Sequence, residues 1–148
     1  MIVGIGHDVT EIPRIAAMLN GGADSRLLQR ILTPAERGLA RRREARLAEY
    51  AAGRFAAKEA VVKALGCGIG KAVGFADIEI APGALGRPEV TLSPGAWDRL
   101  GLGDGTGYSL HLSITHTGEL ASAFAVFERA DSPQFSPAGQ ENRSGLAP

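Results

Sequence analysis

The chain has 148 residues, enough for one hydrophobic core and too few for two ordinary domains. Apolar residues make up 45% and charged residues 22%, with zero net charge, and no apolar run approaches the ~20 residues of a membrane-spanning helix. The single cysteine, Cys67, excludes an internal disulfide and a cysteine-based metal cage, and Asp8 interrupts the start too early for a signal peptide. We therefore expect a cytoplasmic protein with no membrane partner.

The first third of the chain is predicted to be one strand followed by short helices. Residues 2–10 are predicted to be a strand, because Val3 and Ile5 alternate with Gly4 and Gly6. Residues 11–19 have a helical pattern that ends at Asn20-Gly21-Gly22. A second helical stretch covers about residues 24–31. Thr33-Pro34-Ala35-Glu36 then starts another helix, with the threonine as N-cap and the glutamate reaching back to it.

The remainder combines one long helix with antiparallel strands. The helical pattern continues to Leu65 apart from a break near Arg43, and Gly66 suits a left-handed C-terminal cap. After a glycine-rich loop, the predicted elements are strands at 75–81 and 90–92, a helix at 93–102 and a hairpin of strands 108–115 and 120–127. Helices grouped between antiparallel strands predict an α+β fold.

The end of the chain differs in composition from the rest. Residues 129–148 are polar, contain proline and have no period, so we expect a disordered tail. The single folded domain is then predicted to span residues 1–128.

Two segments carry side chains suited to phosphate chemistry. Strand alternation puts Gly4, Gly6 and Asp8 on one face, where the missing side chains would let another element approach closely. On the long helix, Glu59 and Lys63 are four residues apart and share a side. If the helix packs on the strand, two carboxylates converge as ligands for Mg²⁺, with a lysine beside them as a phosphate clamp. Spacing alone favours an ordinary helical ion pair.

Five motifs in order resemble the holo-acyl-carrier-protein synthase branch of the 4′-phosphopantetheinyl transferase superfamily. They are Gly4-Ile5-Gly6-His7-Asp8, the segment from Gly53 to Gly66, Asp77-Ile78-Glu79-Ile80, Gly86-Arg87-Pro88 and His111-Leu112-Ser113-Ile114-Thr115-His116. The resemblance extends from residue 1 to about residue 128. His7 departs from the aliphatic or small residue frequent in the family. Because alternation points it away from Asp8, we interpret it as a structural histidine.

The resemblance implies an enzyme that moves the 4′-phosphopantetheine arm of coenzyme A onto a serine hydroxyl of an apo acyl carrier protein and releases 3′,5′-ADP. Asp8 and Glu59 would be the ligands of Mg²⁺, and Lys63 would contact phosphate, so these three residues form the expected catalytic set. Asp8 is the first candidate to accept the serine proton, and Glu59 is the second. The residues expected at the coenzyme A site are Arg54, Lys63, Gly66, Arg87, Pro88, Ser113 and His116.

A basic segment is the expected contact for the carrier protein. Between Ile12 and Arg46 the chain has eight arginines against three acidic residues, a charge pattern that attracts acidic partners. Nucleic acid is disfavoured because aromatic residues are scarce, at 5%. The resemblance implies docking of an acidic carrier at Arg14, Arg26 and Arg30, and a homotrimer with sites between subunits. The run Arg41-Arg42-Arg43 is interpreted as solvated surface.

Two other functions stay open at this point. A non-catalytic coenzyme A or nucleotide-binding module would use Arg54, Arg87 and His116 but would not require Asp8 or Glu59. A magnesium-dependent pyrophosphohydrolase would use water as its nucleophile and would have no use for the arginine-rich face.

Overall fold

The computed structural model describes residues 1–130, so residues 131–148 of the expected tail lie outside the described part. The helices and strands are β1 (Ile2–Glu11), α1 (Ile12–Met18), α2 (Arg26–Ile31), α3 (Pro34–Arg41), α4 (Leu47–Ala64), β2 (Ile78–Pro82), β3 (Pro88–Leu92), α5 (Pro94–Arg99), β4 (Tyr108–His116) and β5 (Leu120–Arg129). Short 3₁₀ turns occur at Gly22–Asp24, Glu44–Arg46, Phe75–Asp77 and Ala84–Gly86.

Two antiparallel sheets and one central helix make up the fold. The larger sheet has the strand order β1-β5-β4, and the smaller one pairs β2 with β3. The long helix α4 packs against β1 and β5 of the larger sheet. This arrangement confirms the predicted α+β class, with an antiparallel sheet packed on a long helix. No helix of the described residues is both long enough and apolar enough to cross a membrane.

Helix α4 is surrounded by other elements, which explains its alanine content. Ala51, Ala52, Ala56, Ala57 and Ala60 are all fully buried. One core cluster lies between α4 and the strands, and a second lies between α4 and the N-terminal helices. Small side chains let elements approach α4 from several directions, whereas a surface helix would need only one apolar stripe.

Strand β1 crosses α4 at the two predicted glycines. A Cβ atom built on Gly4 would overlap the carbonyl oxygen of Ala64, and one built on Gly6 would overlap that of Ala60. The backbones of strand and helix therefore touch directly, as the missing side chains predict. This crossing fixes the side of α4 that faces Asp8.

The start of α3 confirms the predicted helix cap. Thr33 Oγ1 accepts from the backbone N–H of Glu36 at 3.3 Å, and Glu36 Oε2 accepts from that of Thr33 at 2.7 Å. The predicted break near Arg43 is also present, because α3 ends at Arg41 and α4 begins at Leu47.

Several predicted boundaries are wrong, among them the end of β5, which reaches Arg129, one residue into the expected tail. Residues 75–77 form a 3₁₀ turn instead of strand, because the Asp77 carboxylate accepts from the backbone N–H of Gly74 at 2.8 Å and stabilises the turn. Helix α2 starts only after Ser25, whose hydroxyl caps it, so residues 24 and 25 lie outside that helix. Helix α5 ends at Arg99, before the predicted end at residue 102.

Candidate functional site

The crossing of β1 and α4 brings Asp8 and Lys63 into contact. Lys63 Nζ donates to Asp8 Oδ1 at 2.9 Å and to the backbone carbonyl oxygen of His7 at 2.9 Å. The second carboxylate oxygen of Asp8 accepts from Thr10 Oγ1 at 3.3 Å. The Asp8 side chain is 17% exposed and that of Lys63 is 51% exposed, so the pair lies at the surface of the crossing.

Glu59 belongs to the same electrostatic cluster. Burial raises the pKa of Glu59, the negative charge of Asp8 raises it further, and the positive charge of Lys63 opposes both effects. Two mutually repelling carboxylates that present hard oxygen ligands are a suitable donor set for Mg²⁺, which commonly takes one or two protein carboxylates. The residues present therefore fit the predicted ion.

Glu59 also lines a cavity of about 360 Å³, which we call the Glu59 cavity. Its walls include the aromatic rings of Phe55 and Phe75, whose centroids are 5.7 Å apart. Arg14 of α1 and Arg30 of α2 line it as well. Two of the three arginines predicted to dock a carrier thus stand at a cavity that contains a predicted metal ligand, while Arg26 lies outside its lining.

A second cavity of about 310 Å³, the Tyr50 cavity, collects part of the predicted coenzyme A site. Arg54, Pro88 and His116 line it together with Gly86. These residues come from α4, the β2–β3 turn, the start of β3 and the end of β4, so only the folded chain brings them together. Among residues 1–130, the two cavities have no lining residue in common.

The Tyr50 cavity is strongly basic. The guanidinium carbons of Arg43 and Arg54 lie 5.2 Å and 4.7 Å from the centroid of the Tyr50 ring. The buried Nε atom of Arg54 has no hydrogen-bond partner among the described residues, although buried donors are normally paired. His116 Nδ1 lies 2.8 Å from Glu49 Oε1. An anionic ligand with several oxygen atoms fits these donors.

Other predicted coenzyme A residues lie elsewhere. Arg87 lines a third cavity, of about 410 Å³, which Pro88 also lines. Ser113 is exposed on β4 and pairs in register with Phe124, on the face of the sheet away from α4. Gly66 follows α4 with φ of +76°, as predicted for a left-handed cap, and lines neither named cavity.

Sequence reasoning missed two arginines of the Tyr50 cavity, Arg43 and Arg46. The interpretation of the arginine run as solvated surface describes Arg41, which is 60% exposed and pairs with Asp24 at 2.9 Å. It is incomplete for Arg43, which is exposed but stacks on Tyr50. Both missed residues lie in the break between α3 and α4, where no helical period could reveal which way a side chain points.

His7 lies on the opposite face of β1 from Asp8, as alternation predicts. Its Nε2 atom is 2.9 Å from Ser122 Oγ, and its ring is tilted against that of Phe124 with centroids 6.1 Å apart. These contacts with β5 agree with the interpretation of a structural histidine.

The family model described as the 4′-phosphopantetheinyl transferase superfamily matches residues 4–125. The chain belongs to this superfamily. The match covers both segments that are predicted to be catalytic, the crossing of β1 and α4, and nearly the whole of the two sheets.

Individual relatives define the branch within the superfamily. A holo-[acyl-carrier-protein] synthase of Bacillus cytotoxicus is 46% identical over 129 residues, which are 86% of this chain and 97% of the relative. A crystal structure of the Bacillus anthracis holo-(acyl-carrier-protein) synthase in complex with CoA (3′,5′-ADP) has 44% identity and a TM-score of 0.73, covering 88% of this chain and 99% of that one. The Neisseria meningitidis enzyme has 37% identity and a TM-score of 0.75, covering 87% and 100%. The chain is thus a member of the holo-acyl-carrier-protein synthase family.

Proposed function

We propose that this chain transfers the 4′-phosphopantetheine arm of coenzyme A to a serine hydroxyl of an apo acyl carrier protein. The observation that carries the proposal is the cluster of Asp8, Glu59 and Lys63 at the edge of a cavity with two exposed arginines. The relative from Bacillus anthracis, in complex with CoA (3′,5′-ADP), supports the choice of co-substrate and leaving group.

In the proposed reaction the serine oxygen attacks the β-phosphorus of coenzyme A and forms the new P–O bond. The bond from that phosphorus to the bridging oxygen breaks, and the electron pair leaves with 3′,5′-ADP. Phosphoryl transfer is catalysed chiefly by positioning and by neutralising charge. The Lys63 ammonium group, half exposed beside Asp8, supplies one positive charge for the phosphate oxygens.

The serine proton needs an acceptor within hydrogen-bond reach. Asp8 Oδ1 accepts from Lys63 at 2.9 Å, whereas Oδ2 accepts, within the described part of the chain, only the long 3.3 Å bond from Thr10. We therefore assign the proton to Asp8 Oδ2, with Glu59 as the second candidate.

Magnesium is the proposed cofactor, and Asp8 and Glu59 are the residues that would hold it. When bound, a divalent cation neutralises phosphate charge that develops during transfer. The pKa of Glu59, which burial and the charge of Asp8 raise, supports this assignment because a cation would relieve the repulsion between the carboxylates.

The nucleotide end of coenzyme A is assigned to the Tyr50 cavity. Arg43, Arg46 and Arg54 provide guanidinium groups, and His116 provides a ring nitrogen. The unpaired Nε atom of Arg54 is a ready donor for a phosphate oxygen.

The carrier protein is assigned to the side of the molecule where Arg14, Arg26 and Arg30 are exposed. An acidic partner that docks there would present its serine to the Glu59 cavity, which Arg14 and Arg30 line. The expected cytoplasmic location stays a prediction.

We further propose a homotrimer whose sites lie between subunits. The Glu59 and Tyr50 cavities are separate in one chain, so a site at a subunit interface would let residues of both act on one coenzyme A molecule. The outer face of the larger sheet offers a surface for this assembly, because Ile5, Val9 and Phe124 are 60%, 50% and 45% exposed there.

Mass spectrometry of the carrier tests the proposed function directly. Incubation with apo carrier protein, coenzyme A and Mg²⁺ should add one phosphopantetheine arm, and chelation of the metal should stop the reaction. Asp8→Asn and Glu59→Gln should each lower kcat by about a hundredfold or more while circular dichroism shows an intact fold. Full activity in either variant would remove the proposed metal site.

The same assay separates the other two functions. Coenzyme A that binds without any mass gain of the carrier would favour a non-catalytic module. Coenzyme A that is hydrolysed without a carrier would favour a pyrophosphohydrolase.

A further inference from the structure

Lys58 is a fully buried lysine that the proposed reaction does not use. It directly precedes Glu59 in α4, and its side chain is 0% exposed. Its Nζ atom donates to three acceptors, the carbonyl oxygen of Ile31 at 2.7 Å, Glu36 Oε2 at 2.7 Å and the carbonyl oxygen of Phe75 at 3.0 Å. The three protons of the ammonium group thus each have a partner.

Two of these acceptors belong to walls of the Glu59 cavity. Ile31 is the last residue of α2, and Phe75 opens the 3₁₀ turn before β2; both residues line that cavity. A carbonyl group at the end of a helix lacks an intrahelical partner and carries partial negative charge. The Lys58 ammonium group donates to this carbonyl and so connects the end of α2 to α4, the helix that carries Glu59.

The third acceptor connects Lys58 to two further elements. Glu36 Oε2 also accepts from the backbone N–H of Thr33 at 2.7 Å, and Glu36 Oε1 accepts from that of Ile80 at 2.9 Å. The carboxylate is therefore anchored at the start of α3 and in β2, so it cannot follow Lys58 if the lysine moves. Lys58 is held at one end by its own helix and at the other by a fixed partner.

Fold stability alone is a poor reason for this arrangement. A buried ion pair is often no more stabilising than apolar side chains of similar volume. An apolar residue could fill the space but could not bind two backbone carbonyl groups at once.

We propose that Lys58 is a positioning residue that holds Ile31 and Phe75, as walls of the Glu59 cavity, at a fixed place relative to Glu59. This inference rests on the proposed function, in which the carrier serine enters the Glu59 cavity. Displacement of these walls would misplace the serine while the Tyr50 cavity, which neither residue lines, keeps its shape.

The test compares Lys58→Met with Val62→Ala. Val62 is buried in the same helix, belongs to the core cluster against the sheets and lines neither cavity. Both variants lose stability, so each is assayed at a temperature where denaturation curves show it fully folded. Lys58→Met should lower kcat/KM for the carrier by about tenfold or more and leave the Kd for 3′,5′-ADP, the nucleotide end assigned to the Tyr50 cavity, unchanged. Val62→Ala should change neither. Equal effects of the two variants would overturn the proposal.

Hydrogen–deuterium exchange separates this proposal from the proposed function. Amide exchange around Ile31 and Phe75 should be faster in Lys58→Met than in Val62→Ala, whether or not the protein transfers phosphopantetheine. Identical exchange in the two variants would refute the positioning role. Absence of transfer by the unaltered protein would instead refute the proposed function.

Glu36→Gln keeps the test decisive if Lys58→Met does not fold. This variant removes the charged partner but leaves both carbonyl acceptors of Lys58 in place. The proposal predicts lower stability with kcat/KM for the carrier largely retained. A loss of transfer as large as about tenfold would show that the ion pair, and not the two wall contacts, matters.

Discussion

At the scale of single residues, the site depends on the absence of side chains as much as on their presence. Gly4 and Gly6 let β1 lie directly on α4, and this contact places Asp8 beside Lys63. Any side chain at Gly6 would overlap the backbone carbonyl of Ala60, which cannot move without displacing the helix. The geometry of the proposed catalytic site is therefore sensitive to one methyl group.

Gly6→Ala should reduce both stability and activity. We expect a loss of about 2 kcal/mol or more in the free energy of unfolding, because the overlap involves backbone instead of a flexible side chain. Transfer should fall as well, because β1 must move away from α4. Urea denaturation and the carrier assay measure the two effects.

Gly38→Ala is the matched control for that variant. Gly38 lies in α3 with open space where its Cβ would stand, so alanine should stabilise that helix by about 0.5–1 kcal/mol. Transfer should stay unchanged. A neutral result for Gly6→Ala would show that the strand and helix are not in the tight contact described.

At the scale of elements, Asp77 connects a turn to a helix. Its carboxylate accepts from Ser93 Oγ at 2.5 Å, from the backbone N–H of Gly74 at 2.8 Å and from Arg99 at 2.7 Å. Burial acts to raise the pKa of Asp77, but these hydrogen bonds and the charge of Arg99 outweigh it and lower the pKa below the usual value. The 3₁₀ turn before β2 is thereby attached to α5.

Asp77→Asn should destabilise the protein in a pH-dependent way. Because the folded-state pKa is lowered, the stabilisation is present above the unfolded-state pKa and is lost as pH falls through the folded-state value. At about pH 7 the free energy of unfolding should be about 1 kcal/mol lower than that of the unaltered protein, and at about pH 3 this difference should shrink. Asp98→Asn, on the exposed side of α5, is the control. A difference that is independent of pH would contradict the assignment.

At the scale of the whole molecule, the larger sheet has two unlike faces. One face carries buried Ala121, Ala123 and Ala125 against α4, while the other exposes Ile5 and Phe124. Exposed apolar patches are common at sites of protein association. This exposed face is the surface that the proposed homotrimer would bury.

Phe124→Glu should dissociate the proposed trimer. A charge placed on this face must be desolvated on association, which opposes assembly, so light scattering should show the monomer mass. Transfer should also fall, because each proposed site lies between two subunits. Leu85→Glu is the control, because Leu85 is fully exposed at the β2–β3 turn, outside the sheet face. An unchanged assembly mass for Phe124→Glu would exclude this face as the interface.

The amino-acid sequence by itself determined the features that depend on neighbouring residues or on fixed periods. The capping box of Thr33 and Glu36, the break near Arg43 and the shared face of Gly4, Gly6 and Asp8 all follow from spacing, and the structure has each of them. The five sequence motifs also predicted the family, because they occur in the order that resembles it from residue 1 to about residue 128.

Only the tertiary structure decided which distant groups meet. A lysine within a helix is expected at the surface, yet Lys58 is buried because acceptors from three other segments converge on it. Arg43 stacks on Tyr50, although an irregular turn separates it from the helix that carries Tyr50. Arg54 and His116 line one cavity, although they are far apart in the sequence. Such contacts depend on how whole helices and strands pack against one another. The spacing of residues along the chain reports only local neighbours, so it does not predict these contacts.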